Sequence, residues 1–227
     1  MHDAPLYPVS LVVQHRPCLV VGGGPVAVRK VDGLLACGAH VTVVAPDIAP
    51  AIADRSGRSG GSEEPGAGTL SIRRRPYRRG EAARYRLVVT ATGIPSVDQA
   101  VAEDAEAAGV WVNCADDAAN CSFLLPAVHR DGPVTVAVST GGASPALASW
   151  IRTRVGAAVG SHLDALAAVL DDARTTLRDR GGSTESVDWR SVLDGPLPEL
   201  VRAGRLEEAR AIVCAAMLKA SPPSPPR

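Results

Sequence analysis

A carboxylate just beyond the end of a buried strand can take up a proton while a hydride leaves in the other direction. Asn113-Cys114-Ala115-Asp116-Asp117 is such a place, with Asp116 as the candidate acceptor. Either aspartate could instead cap a turn. Gly22-x-Gly24-x-x-Ala27 is the second candidate, because glycines let a backbone turn sharply and bring helix N-terminal amides against a pyrophosphate. Asp47, after Val44-Ala45-Pro46, could bind ribose hydroxyls or cap a short helix starting near Ile48. Ser139-Thr140-Gly141-Gly142-Ala143-Ser144-Pro145 offers hydroxyls and amides to a carboxylate or phosphate, while Ser144 and Pro145 also suit a helix start. Cys114 and Cys121 are spaced too widely for an ordinary metal pair, so structural thiols and no metal site are expected.

These residues need elements to hold them. Pro17 to Val21 is an apolar run ending in three glycines, and Pro25 to Cys37 follows with helical spacing, Pro25 at its first turn and Gly38 at its stop. His40 to Val44, Thr69 to Ile72, Arg86 to Thr92 and Val110 to Asn113 read as further strands, with a helix at Val97 to Ala108. Strands alternating with helices predict an α/β fold with a parallel sheet covered on both faces. The pattern then changes. Ser122 to Pro126 and Val134 to Val138 read as two strands with no helix between them, and helices follow over 146–159, 163–177, 197–204 and 206–218. The Gly/Ser-rich stretch Arg55 to Gly68 reads as a flexible loop and Ser221 to Arg227 as a loose tail.

Composition narrows the classes of function. The 227 residues carry 24 Lys+Arg against 24 Asp+Glu, with only three Trp, three Tyr and one Phe, which argues against a nucleic-acid binder. No stretch approaches the roughly 18 apolar residues of a membrane span. The first residues lack the regions of an export signal, and five scattered cysteines form no disulfide framework, so a cytoplasmic protein with reduced thiols is expected.

Three blocks in order then make a specific pattern: LVVGGGPVAVRKVDGLLACGAHVTVVAP, VNCADDAANCSFLLPAVHRDG and VTVAVSTGGASPALASWIRTRV. Together they resemble the precorrin-2 dehydrogenase family, which includes the N-terminal module of siroheme synthases, from about Tyr7 to Val155. The resemblance implies a Rossmann-type parallel sheet, a small strand-exchange dimerisation region and a helical C-terminal domain. The implied divisions are an NAD-binding domain over 1–113, a dimerisation and active-site region over 114–145, a helical domain over 146–220 and a tail over 221–227.

The resemblance also implies a chemistry. The family oxidises precorrin-2 to sirohydrochlorin with NAD as hydride acceptor, and some members also insert Fe2+ to give siroheme. Asp116 matches the family's essential aspartate. Gly22, Gly24, Pro25, Val26, Pro46, Asp47 and Thr92 fall at the cofactor. Asn113, Ser139, Thr140, Gly141, Arg130 and Arg152 fall at the substrate, whose many carboxylates call for a local basic rim in a neutral chain. A homodimer is implied. This sequence departs from the family in carrying Thr92-Gly93-Ile94-Pro95 where many members have Thr-Asp-Asp, in the insertion over 55–68, and past Gly156, where only generic helices match. No methyltransferase domain follows the helices, which predicts the stand-alone enzyme. A non-catalytic nucleotide-sensing module is the rival of another class, and it leaves the second and third blocks unexplained.

Overall fold

The computed structural model describes residues 5–58, 67–115 and 117–220, with the side chains of 57 and 58 also left aside. Five parallel strands form the main sheet: β1 (Pro17–Val21), β2 (His40–Ala45), β3 (Thr69–Arg74), β4 (Leu87–Thr90) and β5 (Trp111–Cys114). Their order is β3-β2-β1-β4-β5, with Val21 beside Val44 on one side and Thr90 on the other. Helices α1 (Pro25–Leu35), α2 (Pro50–Arg58) and α3 (Pro95–Ala107) make the crossovers. The central strands β1 and β4 read as nearly unbroken apolar runs because both of their faces are covered. Cys18 and Val20 pack with Ala27, Val31 and Ile52 on one face, while Leu19 and Val21 pack with Val101, Ala102 and Ala105 on the other.

The chain divides into two units, Met1–Leu125 with Gly141–Ser144 and Pro126–Thr140 with Pro145–Arg227. In the second, β6 (Ala127–Asp131) and β7 (Val134–Val138) form an antiparallel hairpin closed by Gly132-Pro133, with Gly132 at φ 54°. Helix α4 (Pro145–Val159) approaches the hairpin through Gly156, where a Cβ would lie 2.9 Å from His129 Nδ1. Helices α5 (Leu163–Asp179), α6 (Trp189–Leu193), α7 (Leu197–Arg202) and α8 (Leu206–Lys219) share a core of Val169, Ala173, Val192, Leu197, Val201, Ala209 and Val213. The Asp131 carboxylate accepts the Leu163 amide at 2.8 Å, which ties the hairpin to the start of α5.

Three expectations need correction. The strand expected over Ser122 to Pro126 starts only at Ala127, after a proline that has no amide to give a ladder. Ser122 and Phe123 instead hydrogen-bond to Val112 of β5, with Phe123 packed against the α1 side of the sheet. Helix α2 runs to Arg58, into the stretch read as loop from Arg55; residues 59–66 of that stretch and the tail 221–227 lie outside the described residues. Helix α6 was not expected, and it begins where Asp188 accepts the Ser191 amide at 3.1 Å and hydroxyl at 2.7 Å.

One ion pair secures the approach to β4. Arg75 donates to both oxygens of Glu81, at 2.9 and 2.6 Å, and the Arg78 amide adds a bond of 2.8 Å. Burial alone would raise the Glu81 carboxyl, but hydrogen bonds from Arg75 and Arg78 and the nearby charges hold it below its ordinary value. A depressed folded-state value means this stability is complete above the unfolded value and is lost as pH falls through the folded one. Arg75→Met is expected to cost about 3 kcal/mol at neutral pH, read as a shift in urea midpoint, because it strands a buried carboxylate. Below about pH 4 the difference between variant and wild type should shrink as the carboxyl protonates in both.

Candidate functional site

Strand order reverses between β1 and β4, and the crevice outside their carboxyl ends is where open α/β sheets bind ligands. Three loops meet there. Gly22 turns at φ 124°, and a Cβ on it would collide with the Ala91 carbonyl oxygen at the end of β4. A Cβ on Gly23 would collide with the Asp47 carbonyl oxygen beyond β2, and the Ala49 amide donates to Gly23 at 2.9 Å. Gly24 differs, since a Cβ there would meet nothing within 4 Å. It leads into α1, whose N-terminus has Pro25 at its first position, no side-chain cap and no acidic residue in its first turn. Uncapped amides beside an open glycine fit the pyrophosphate of a dinucleotide, held by the helix's positive end.

Pro46 and Asp47 are exposed on the second loop. Among the described residues Asp47 makes no side-chain hydrogen bond to α2, which starts at Pro50 with Ala49 before it. Thr92 stands on the third loop, in a network that sequence reasoning missed. Asp98, in the first turn of α3, accepts from the Thr92 hydroxyl at 2.7 Å and amide at 3.4 Å, and from the Thr90 hydroxyl. The Thr92 hydroxyl oxygen in turn accepts the Ile94 amide at 3.0 Å. Gly93 between them takes φ 69°, so the family's usual acidic position is here a left-handed turn held by a carboxylate five residues on. The only signal was an aspartate in a helix's first turn, after two threonines.

Beyond β5 the structure separates two neighbouring aspartates. Asp117 accepts the Ala119 and Asn120 amides at 3.0 and 3.4 Å and the Asn120 side chain at 2.7 Å. Its carboxylate is thus engaged in capping a 3₁₀ turn over Ala118–Asn120. Asp116, the candidate proton acceptor, lies outside the described residues. Asn113 is buried; its amide donates to the Phe123 carbonyl at 3.1 Å and its oxygen accepts from Lys30 at 3.5 Å.

Cys121 Sγ accepts the Cys114 amide at 3.1 Å. The two thiols are coupled: the neighbouring Cys114 and its amide lower Cys121 from its ordinary value, while the neighbouring Cys121 and burial raise Cys114. Both thiols are buried. Among the described residues no three His, Cys, Asp or Glu side chains group to hold a metal ion.

The remaining candidates are in or beside the other unit. Arg130 is exposed on β6, Ser139 and Thr140 follow β7, and Arg152 on α4 donates to Ser149 and Thr153, each at 3.4 Å. Gly141, at φ 61°, belongs with the first unit. The sheet edge therefore brings together Gly22, Gly24, Pro25, Val26, Pro46, Asp47 and Thr92. No helix among the described residues is long and apolar enough to cross a membrane.

Residues 9–127 match the family model described as "Putative NAD(P)-binding", and residues 131–158 match "Sirohaem biosynthesis protein central". A siroheme synthase of Methylococcus capsulatus is 36% identical over 208 residues, which cover 91% of this chain and 42% of that protein. One of Chromobacterium violaceum is 38% identical over 207 residues, covering 90% and 42%. The chain thus spans 42% of the length of these curated relatives. The solved structure "SirC, precorrin-2 dehydrogenase" shares the fold, with a TM-score of 0.70, 23% identity and coverage of 94% of this chain and 100% of that one. The chain belongs to the NAD(P)-binding family, which supports a nicotinamide cofactor, and it is similar to siroheme synthases over nine-tenths of its length.

Proposed function

We propose that the chain oxidises precorrin-2 to sirohydrochlorin with NAD⁺, within siroheme or corrinoid synthesis. The observation that carries the reading is the crevice where Gly22 and Gly23 are wedged against Ala91 and Asp47 while Gly24 and the start of α1 stay open. The similarity to siroheme synthases supports a tetrapyrrole as the substrate class. When bound, the nicotinamide ring accepts a hydride. The protein's part is positioning and proton transfer. The amides at Gly24, Val26 and Ala27 bind the pyrophosphate, Pro46 and Asp47 meet the ribose, and Thr92, held by Asp98, lines the nicotinamide end.

Asp116 takes the proton that the macrocycle loses as its hydride departs. The engagement of Asp117 in the turn cap supports that choice between the two. Asn113, Ser139, Thr140 and Gly141 meet the substrate, and Arg130 and Arg152 bind its carboxylates, guanidinium groups matching them in pairs of hydrogen bonds. The enzyme works in the cytoplasm as a homodimer. The reading is tested by anaerobic incubation of precorrin-2 with the purified chain and NAD⁺, with the product identified by mass. Sirohydrochlorin is expected, and unchanged precorrin-2 would overturn the reading.

Asp47 makes the site one for NAD rather than NADP, since a carboxylate binds ribose hydroxyls and repels a 2′-phosphate. In Asp47→Ser the efficiency with NAD⁺ is expected to fall about tenfold, the worth of one charged hydrogen bond, while that with NADP⁺ rises. The ratio of kcat/KM for the two cofactors checks it.

A further inference from the structure

The opposite edge of the same sheet carries a feature that the proposed reaction does not use. A groove of about 600 Å³ opens at the amino ends of β1, β4 and β5. Arg16 lines it just before β1, Arg84 and Arg86 just before β4, and Trp111 at the first residue of β5. No acidic residue lines it. Among the described residues the three guanidinium groups have no hydrogen-bond or ion-pair partner, in contrast to Arg55, Arg75 and Arg79, which have carboxylates. The Trp111 ring is half exposed, and Val12 beside it is more so.

Register sets the spacing of these groups. Cys18, next but one to Arg16, pairs with Leu87, and Leu87 pairs with Trp111. The cations thus lie at two adjacent strand bases and the ring at the third, roughly 10 Å from first to last at about 4.8 Å per strand. Neighbouring positive charges without counter-ions repel each other, and a bound polyanion relieves that cost. An exposed indole with aliphatic neighbours offers one flat apolar face.

We propose that this groove is a second ligand site, which takes a nucleoside polyphosphate with its base against Trp111 and its phosphates on Arg16, Arg84 and Arg86. One ring face beside one cationic cluster matches a ligand with one ring and one anionic chain. A macrocycle with carboxylates around its whole rim would need cations on every side. The volume lies within the range of about 300–1,000 Å³ usual for small-molecule sites. The proposal is independent of the reaction assigned to the other edge.

The test is equilibrium dialysis of the full chain saturated with NADH, which fills the other edge, against ATP, inorganic pyrophosphate and uroporphyrin in separate arms. ATP is expected to bind with Kd below about 1 mM, and pyrophosphate more weakly because it has no ring. Arg84→Ser combined with Arg86→Ser should raise the ATP Kd at least about tenfold while leaving NADH binding unchanged. Trp111→Ala should bring ATP down to the level of pyrophosphate. Arg16→Ser is the second probe should the double variant fail to fold. The proposal is overturned if ATP does not bind, if its binding survives the arginine substitutions, or if uroporphyrin binds more tightly than ATP through the same arginines.

Discussion

Alanine at position 22 should abolish measurable dinucleotide binding and lower the stability of the fold by about 3 kcal/mol. Two independent causes act together. At φ 124° an L-residue is strained whatever the space around it, and here the space is also filled, by the Ala91 carbonyl oxygen. Backbone at the end of β4 cannot give way without breaking the Ala91 amide's bond to Val21, at 2.8 Å. Relief would therefore come from parting the first and third loops, which is the crevice itself. Gly24→Ala is the control. Its backbone is extended at φ −84° and its surroundings are open, so the fold should be unchanged to within about 0.5 kcal/mol while a Cβ weakens the approach of phosphate. Urea unfolding and a fluorescence titration with NADH read both effects. Equal losses of stability in the two variants would contradict the account of the turn.

The second large effect concerns the two aspartates after β5. Asp116→Asn should lower turnover by about 10³-fold, within the usual worth of a general base, while cofactor affinity stays within about twofold. Asparagine keeps the size and polarity of the side chain and removes only its capacity to hold a proton. Asp117→Asn should do almost nothing, because asparagine caps a turn about as well as aspartate, and the Ala119 and Asn120 amides keep their acceptor. The contrast is informative because the residues are adjacent and the substitutions identical. Turnover lost with Asp117→Asn and kept with Asp116→Asn would exchange their roles.

The parallel sheet was legible in the sequence because burial on both faces leaves continuous apolar strands, and Pro25 and the glycines around α1 mark a turn and a helix start without tertiary information. The antiparallel pair was legible in kind and displaced in position. Phe123, Leu124 and Leu125 have the composition of a strand, but Phe123 and Leu124 are spent on the core of the first unit, and Pro126 delays the ladder to Ala127. Helix α6 has too few residues for periodicity to appear. Asp98 was invisible for another reason. On a helix surface it is an ordinary polar residue, and it gains meaning only where β4 presents Thr90 and the next loop presents Thr92. The glycine crevice could be read as a motif, but which glycine is wedged and which is open depends on loops from two other strands.

Whether the chain is a dehydrogenase is decided by the rate of NADH formation when it meets NAD⁺ and enzymatically generated precorrin-2 under anaerobic conditions. NADH is expected to appear in step with sirohydrochlorin, dependent on the protein and lost in Asp116→Asn. Binding of NAD⁺ without any NADH formed above the protein-free control would contradict it, and would leave a nucleotide-binding module in place of a dehydrogenase.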